Sequence, residues 1–243
     1  MTSPGVSDSN PQASDSNAYP PDPGEVLLID KPLGWTSFDV VRKLKFAGNF
    51  RKIGHAGTLD PLATGLLICC TGKLTKQIDT YQAQEKEYTG TLVLGKTTPS
   101  VDLETPFDET EYPTGHITPE LLTQAARRLT GAIDQIPPVY SAIWVDGQRA
   151  YRQARRGVAI EMKARPVVVY AFDLELSHFP EVAFRIVCSK GTYVRSLVRD
   201  LGEAVQCGAY MSSLRRTRIG NFRVDDALTI DQFIAVALQS PAE

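Results

Sequence analysis

The sequence predicts an α+β fold, and three observations carry that reading. Leu66-Leu67-Ile68-Cys69-Cys70 is an unbroken apolar run of strand length, as expected of a strand buried on both faces. Val167 to Ser177 and Val182 to Cys188 read as two strands around a turn near Pro180-Glu181. Elsewhere the apolar residues recur at helical spacing, as in Phe38, Val41 and Leu44, and in Leu121, Leu122, Ala125 and Leu129. With 243 residues, 42% of them hydrophobic and 22% charged, the chain can bury an ample core.

Thr2 to Gly24 has almost no core-forming residues and is expected to be a disordered tail, so residues 1–24 are set apart and folding starts at Glu25. Val26 to Asp30 reads as a strand and Lys31-Pro32-Leu33-Gly34 as a turn. Ser37 can then cap a helix through Phe38, Val41, Leu44 and Lys45. The loop around Asp60 precedes the apolar strand, so it hangs from a rigid mount. Thr71-Gly72 leads to a short helix over Lys73 to Gln82, and Lys86 to Leu94 alternates as a strand. Thr97 to His116 is rich in Pro, Asp, Glu and Gly and holds no Lys or Arg, which predicts a long loop whose acidity keeps it off phosphates.

Thr118-Pro119-Glu120 starts a helix that runs toward Gly131, with Pro at the first helical position. From Arg149 to Arg165 there are six basic residues and one acidic, with Tyr151 among them. That mixture suits phosphate contact plus base stacking, and a solvated helix face is the alternative. Thr192 can cap a helix through Val194, Leu197, Val198 and Leu201. Arg195 then lies in its first turn, where the helix dipole disfavours a cation unless an anion is near. Thr229 caps a last helix, Ile230 to Leu238.

The formal charge of −2 hides an uneven distribution. Met1 to Glu25 and Val224 to Glu243 each carry four acidic residues and no Lys or Arg, which leaves the body between them with a net of +6. A basic body with acidic ends is compatible with RNA binding. Cys69, Cys70, Cys188 and Cys207 show no zinc spacing and no signal peptide precedes them, so reduced, buried thiols in a cytoplasmic protein are expected. No apolar run approaches the roughly 18 residues of a membrane span.

The functional signal is concentrated in Gly54-His55-Ala56-Gly57-Thr58-Leu59-Asp60-Pro61-Leu62-Ala63-Thr64-Gly65. Asp60 is its single carboxylate, pushed toward an extended conformation by Pro61 and flanked by glycines that permit tight backbone. Local spacing alone would make it an Asx-turn cap. The whole string, however, resembles the catalytic motif of the TruB family of tRNA pseudouridine synthases. Further matches follow in the same order: Lys31-Pro32, the Lys86-Glu87-Tyr88 segment, Cys188 to Leu197, and Leu214 to Gly220. The resemblance covers about Glu25 to Arg223.

This resemblance implies a pseudouridine synthase fold, a central mixed or antiparallel sheet flanked by helices, with a thumb-like RNA-binding insertion at about 138–166. It implies isomerisation of uridine at position 55 in the tRNA T-loop after base flipping, with no cofactor and no metal. Asp60 would be the nucleophile, Arg195 its ion-pair partner, and Tyr88 a stacking residue and candidate base. Tyr193 and Leu214 would complete the pocket, while His55 would fill the space left by the flipped base. Lys31 would be an RNA contact or a solvated turn lysine. Only 20 residues follow Arg223, so 224–243 is expected to be a short helix without the complete C-terminal RNA-binding (PUA) domain of well-known relatives. Recognition would then rest on the thumb, the Asp60 loop and the basic Arg215 to Arg223 stretch. The expected partner is the tRNA T-arm, bound by a monomer with no guide RNA and no membrane. The alternative is a tRNA-binding RNA chaperone with catalysis secondary.

Overall fold

The computed structural model describes residues 23–239, so all but the last two residues of the expected tail lie outside it. β1 (Val26–Lys31) opens the fold, followed by α1 (Ser37–Ala47), β2 (Ile53–His55) and β3 (Ala63–Thr71). A 3-10 turn (Gly72–Gln77) and α2 (Ile78–Ala83) occupy the span expected to be one short helix, and β4 (Lys86–Leu94) follows. After the long loop come α3 (Pro119–Arg128) and β5 (Gly131–Gln135). The thumb segment holds a small hairpin of β6 (Trp144–Val145) and β7 (Gln148–Arg149), then α4 (Ala150–Ala154). β8 (Arg165–His178), β9 (Glu181–Cys188), α5 (Val194–Ala204), β10 (Ala209–Ile219), β11 (Phe222–Arg223) and α6 (Ile230–Gln239) complete the chain.

Nine of these strands form one mixed sheet in the order β1-β3-β10-β4-β9-β8-β5, with β2 on β3 and β11 on β10. β10 runs parallel to β3 and antiparallel to β4. Tertiary contact therefore joins segments about 150 residues apart, Leu214 beside Ala63 and Arg216 beside Gly65. That approach demands glycine. Gly65 has φ +101°, and a Cβ there would meet the carbonyl oxygen of Arg216 at 2.3 Å. The main core lies among β4, β8, β9, β10, α3 and α5, and includes Leu92, Ile186, Leu197 and Leu201. A second cluster, with Val40, Leu44, Leu67 and Phe233, seals α1 and α6 onto β1 and β3. All four cysteines are buried and free. Among the described residues no helix is long and apolar enough to cross a membrane.

Three caps and faces differ from expectation. Thr36, not Ser37, caps α1, and it forms a reciprocal capping box with Asp39. Ser37 is instead buried. Phe38, placed on the apolar helix face by spacing, is 68% exposed, because Val40, Val41 and Leu44 fill the buried face. Thr192 donates its hydroxyl to the Ser189 carbonyl rather than capping α5, whose N-cap is Tyr193.

Candidate active site

The loop that carries Asp60 is held from three sides. Ser37 Oγ accepts the Leu59 N–H at 2.9 Å and donates to the Leu59 carbonyl at 3.2 Å. The Gly34 N–H donates to the Pro61 carbonyl at 2.8 Å. Lys31 Nζ, fully buried, donates to the carbonyls of Pro32, Trp35 and Pro61 at 2.9, 2.6 and 3.3 Å. Both roles considered for Lys31 are thereby corrected: its ammonium can reach neither RNA nor solvent, and it clamps the β1 turn to the catalytic loop. Burial lowers its pKa to about 8 despite the attraction of Asp60. Lys31→Ala should therefore slow turnover by disordering the loop while leaving tRNA affinity near wild type. Comparing single-turnover rate with Kd checks this, and an effect confined to Kd would restore the RNA-contact role.

Asp60 meets Arg195 as the motif implied. Arg195 Nη2 lies 2.9 Å from Asp60 Oδ2, and the guanidinium is 3% exposed. The first-turn position that disfavours a cation is offset by more than one anion. Asp102, buried in the long loop, places Oδ2 3.7 Å from Arg195 Nε. Nη1 and Nη2 also donate to the carbonyls of Ser100 and Tyr140 at 3.0 and 2.9 Å. One guanidinium thus ties α5 to the Asp60 loop, the acidic loop and the segment around Tyr140. Asp102 escaped the sequence reading, being one of several acids in a loop expected only to stay off phosphates.

Burial raises the pKa of the Asp60 carboxyl above the ordinary 3.8; Arg195 opposes the rise and Asp102 adds to it. Arg195 does counter burial, as expected, but does not overcome it. Chemistry that needs the carboxylate should then fail as pH falls through a midpoint above 3.8. Single-turnover rate against pH measures this, and an acid limb centred at or below 3.8 would show that the ion pair outweighs burial.

Beside the pair opens a pocket of about 260 Å³, lined by Asp60, Arg195, Tyr88, Tyr193, Leu214, Lys86 and Arg216 among others. Tyr88 on β4 stands directly opposite Arg216 on β10, so both side chains share one face of the sheet. Burial raises the Tyr88 hydroxyl above its ordinary value against the opposing charge of Arg216. The Tyr88 phenol is thereby held in its neutral form. Arg216 is 1% exposed and donates to the carbonyls of Leu66 and Gly57 at 2.8 and 3.1 Å, so it braces the Asp60 loop from beneath.

The basic stretch expected to touch RNA is in fact neutralised. Arg215 pairs with Asp30, Arg218 with Glu85 and Glu87, and Arg223 with Asp225, while Arg216 is buried. His55 lies on β2, outside the pocket lining; burial lowers its pKa and Arg216 adds to the effect. In the thumb, Arg149 stacks on the exposed Trp144 and Arg152 and Arg155 flank Tyr151, while Arg155 also pairs with Glu104. The thumb root contributes Ser141 and Ala142 to the pocket wall.

Solved structures share this architecture. A Cbf5-Nop10-Gar1 complex contains a chain 30% identical to this one, with a TM-score of 0.68 over 86% of this chain and 53% of that one. An H/ACA RNP bound to a substrate RNA containing 2′-deoxyuridine gives 28% identity and a TM-score of 0.65, with 86% and 52% coverage. The chain thus spans about half the length of either structure's matching chain. Fold and pocket together define a pseudouridine synthase, an RNA isomerase.

The sequence relatives narrow the assignment. A protein of Phocaeicola vulgatus named tRNA pseudouridine synthase B is 52% identical over 86% of this chain and 92% of its own. One of the same name from Flavobacterium johnsoniae is 51% identical over 86% and 94%. The family models describe residues 43–194 as the N-terminal domain of TruB family pseudouridylate synthase and residues 195–242 as the tRNA pseudouridylate synthase B C-terminal domain. The chain belongs to the TruB family.

Proposed function

We propose that this chain converts uridine to pseudouridine at position 55 in the T-loop of tRNA, with Asp60 as the nucleophile. The observation that carries the reading is the Asp60–Arg195 pair at the wall of a pocket shared with Tyr88, Tyr193 and Leu214. A uridine stacked in a folded loop cannot present its glycosidic bond, so it must be extruded at a cost of about a few kcal/mol. The flipped base enters beside Tyr88 and Leu214, which hold the detached uracil while it turns from N1 to C5 attachment. Arg195 orients the Asp60 carboxylate toward the reacting carbon.

Relatives that share half of the sequence along almost their whole length are named for tRNA, which favours tRNA over the guided substrates of the H/ACA assemblies. The enzyme then works as a cytoplasmic monomer without a guide. The test is direct: purified protein is incubated with unmodified tRNA transcript and pseudouridine is mapped by carbodiimide-dependent reverse-transcription stops. One new stop at position 55 is expected; none, or stops elsewhere, overturns the assignment.

A further inference from the structure

The exposed face of α1 carries a pattern that neither the core nor the pocket uses. Phe38, Arg42, Lys45 and Phe46 follow one another at i, i+4, i+7 and i+8, so they form one stripe opposite the buried Val40, Val41 and Leu44. Phe38 is 68% exposed and Phe46 86%. Exposed aromatics of this size on a soluble helix contradict its own amphipathic pattern, and such local conflicts mark function more often than packing. Arg42 is paired with Asp39, whereas Lys43, Lys45, Arg51 and Lys52, all exposed, make no ion pair among the described residues.

The first residue of α1 adjoins the Asp60 loop through the buried face of the helix. Ser37, the first residue of α1, is bonded to Leu59, next to Asp60, and the helix leads away from that point over 11 residues, roughly 16 Å. RNA entering the pocket needs cationic surface beside it, and the Arg215 to Arg223 stretch offers none that is free of a carboxylate or of burial. Lysines without carboxylate partners, interleaved with open aromatic faces, match an RNA backbone with unstacked bases.

We propose that this face of α1 is a second RNA-binding surface: Lys45, which has no carboxylate partner, contacts a phosphate of the substrate RNA, and Phe38 and Phe46 stack on its bases. The inference rests on the proposed RNA substrate but adds a site distinct from both pocket and thumb. All three side chains point away from the core, so substitution leaves folding intact, as a thermal melt verifies.

The test measures tRNA binding and single-turnover pseudouridine formation by the full chain. Phe38→Ala with Phe46→Ala should raise Kd by about thirtyfold or more, the effect of losing two stacked bases at about 1 kcal/mol or more each. The rate at saturating protein should stay at the wild-type value. Phe38→Tyr with Phe46→Tyr should bind like wild type, because the stacking faces remain. Lys45→Gln should lessen the slope of log Kd on log salt by about 1, for the one lost phosphate contact. Wild-type Kd in the alanine double variant, or an unchanged slope in the glutamine variant, overturns the proposal. A wild type that binds tRNA but leaves its uridines unmodified would defeat the proposed function alone, since the affinity comparison would still report on this face.

Discussion

Asp60→Asn should lower turnover by more than about a thousandfold while tRNA affinity stays within a few-fold of wild type. Asn keeps the size and one oxygen of the carboxylate, and most affinity comes from phosphate contacts elsewhere, so only the chemistry is lost. The sign of the stability change separates this residue from a structural one. Burial raises the Asp60 pKa in the folded state, so its ionised form at neutral pH opposes folding, an effect that grows as pH rises from 3.8 through the raised value. Removing that charge should leave the melting temperature unchanged or slightly higher. Turnover above about a tenth of wild type would remove Asp60 from the nucleophile role. A clear loss of melting temperature would mean that Arg195 depends on Asp60 more than on Asp102 and the two carbonyls.

Arg195→Ala should damage both activity and stability. The guanidinium is buried and engages Asp60, Asp102 and the carbonyls of Ser100 and Tyr140. Truncation leaves the buried Asp102 without its cation, a situation that typically costs about 3–5 kcal/mol. Turnover should fall at saturating tRNA, because the carboxylate loses its orientation and its pKa climbs further. Chemical denaturation and single-turnover kinetics read the two effects separately. If the variant merely bound tRNA more weakly in a salt-dependent way, the ion pair would have no part in catalysis.

What the sequence revealed and what it hid follow from the range of each signal. Five strands and most helices were legible because their periodicity is local, whereas the central β10 was not read as a strand; the first-turn position of Arg195 called for an anion, and the family resemblance named Asp60 as that anion. Arg216 was hidden by its neighbours. In Leu214-Arg215-Arg216-Thr217-Arg218 the charges suggest a surface, yet period-2 alternation places Arg216 on the same face as Leu214, inside the pocket. That alternation was the signal to heed. Asp102 carried none, since only a tertiary bridge between its loop and Met211 brings it to Arg195. Lys31 and Ser37 look like an exposed turn lysine and a helix cap; carbonyls and amides 22 and 30 positions further along the chain make them clamps.

The placement of β10 between β3 and β4 also dictates when an enzyme molecule comes into being. During synthesis, β3 and β4 emerge early, but the strand that joins them ends only at Ile219. Until then the nascent chain has a catalytic loop without Arg216 beneath it and two strand edges awaiting the same late partner. A prematurely terminated product is therefore inert and adhesive rather than partly active. The boundary between the two family domains, 194/195, is likewise no boundary for folding, because the second holds only β10 and β11 of the nine-stranded sheet and the first lacks the strand that joins its β3 to its β4.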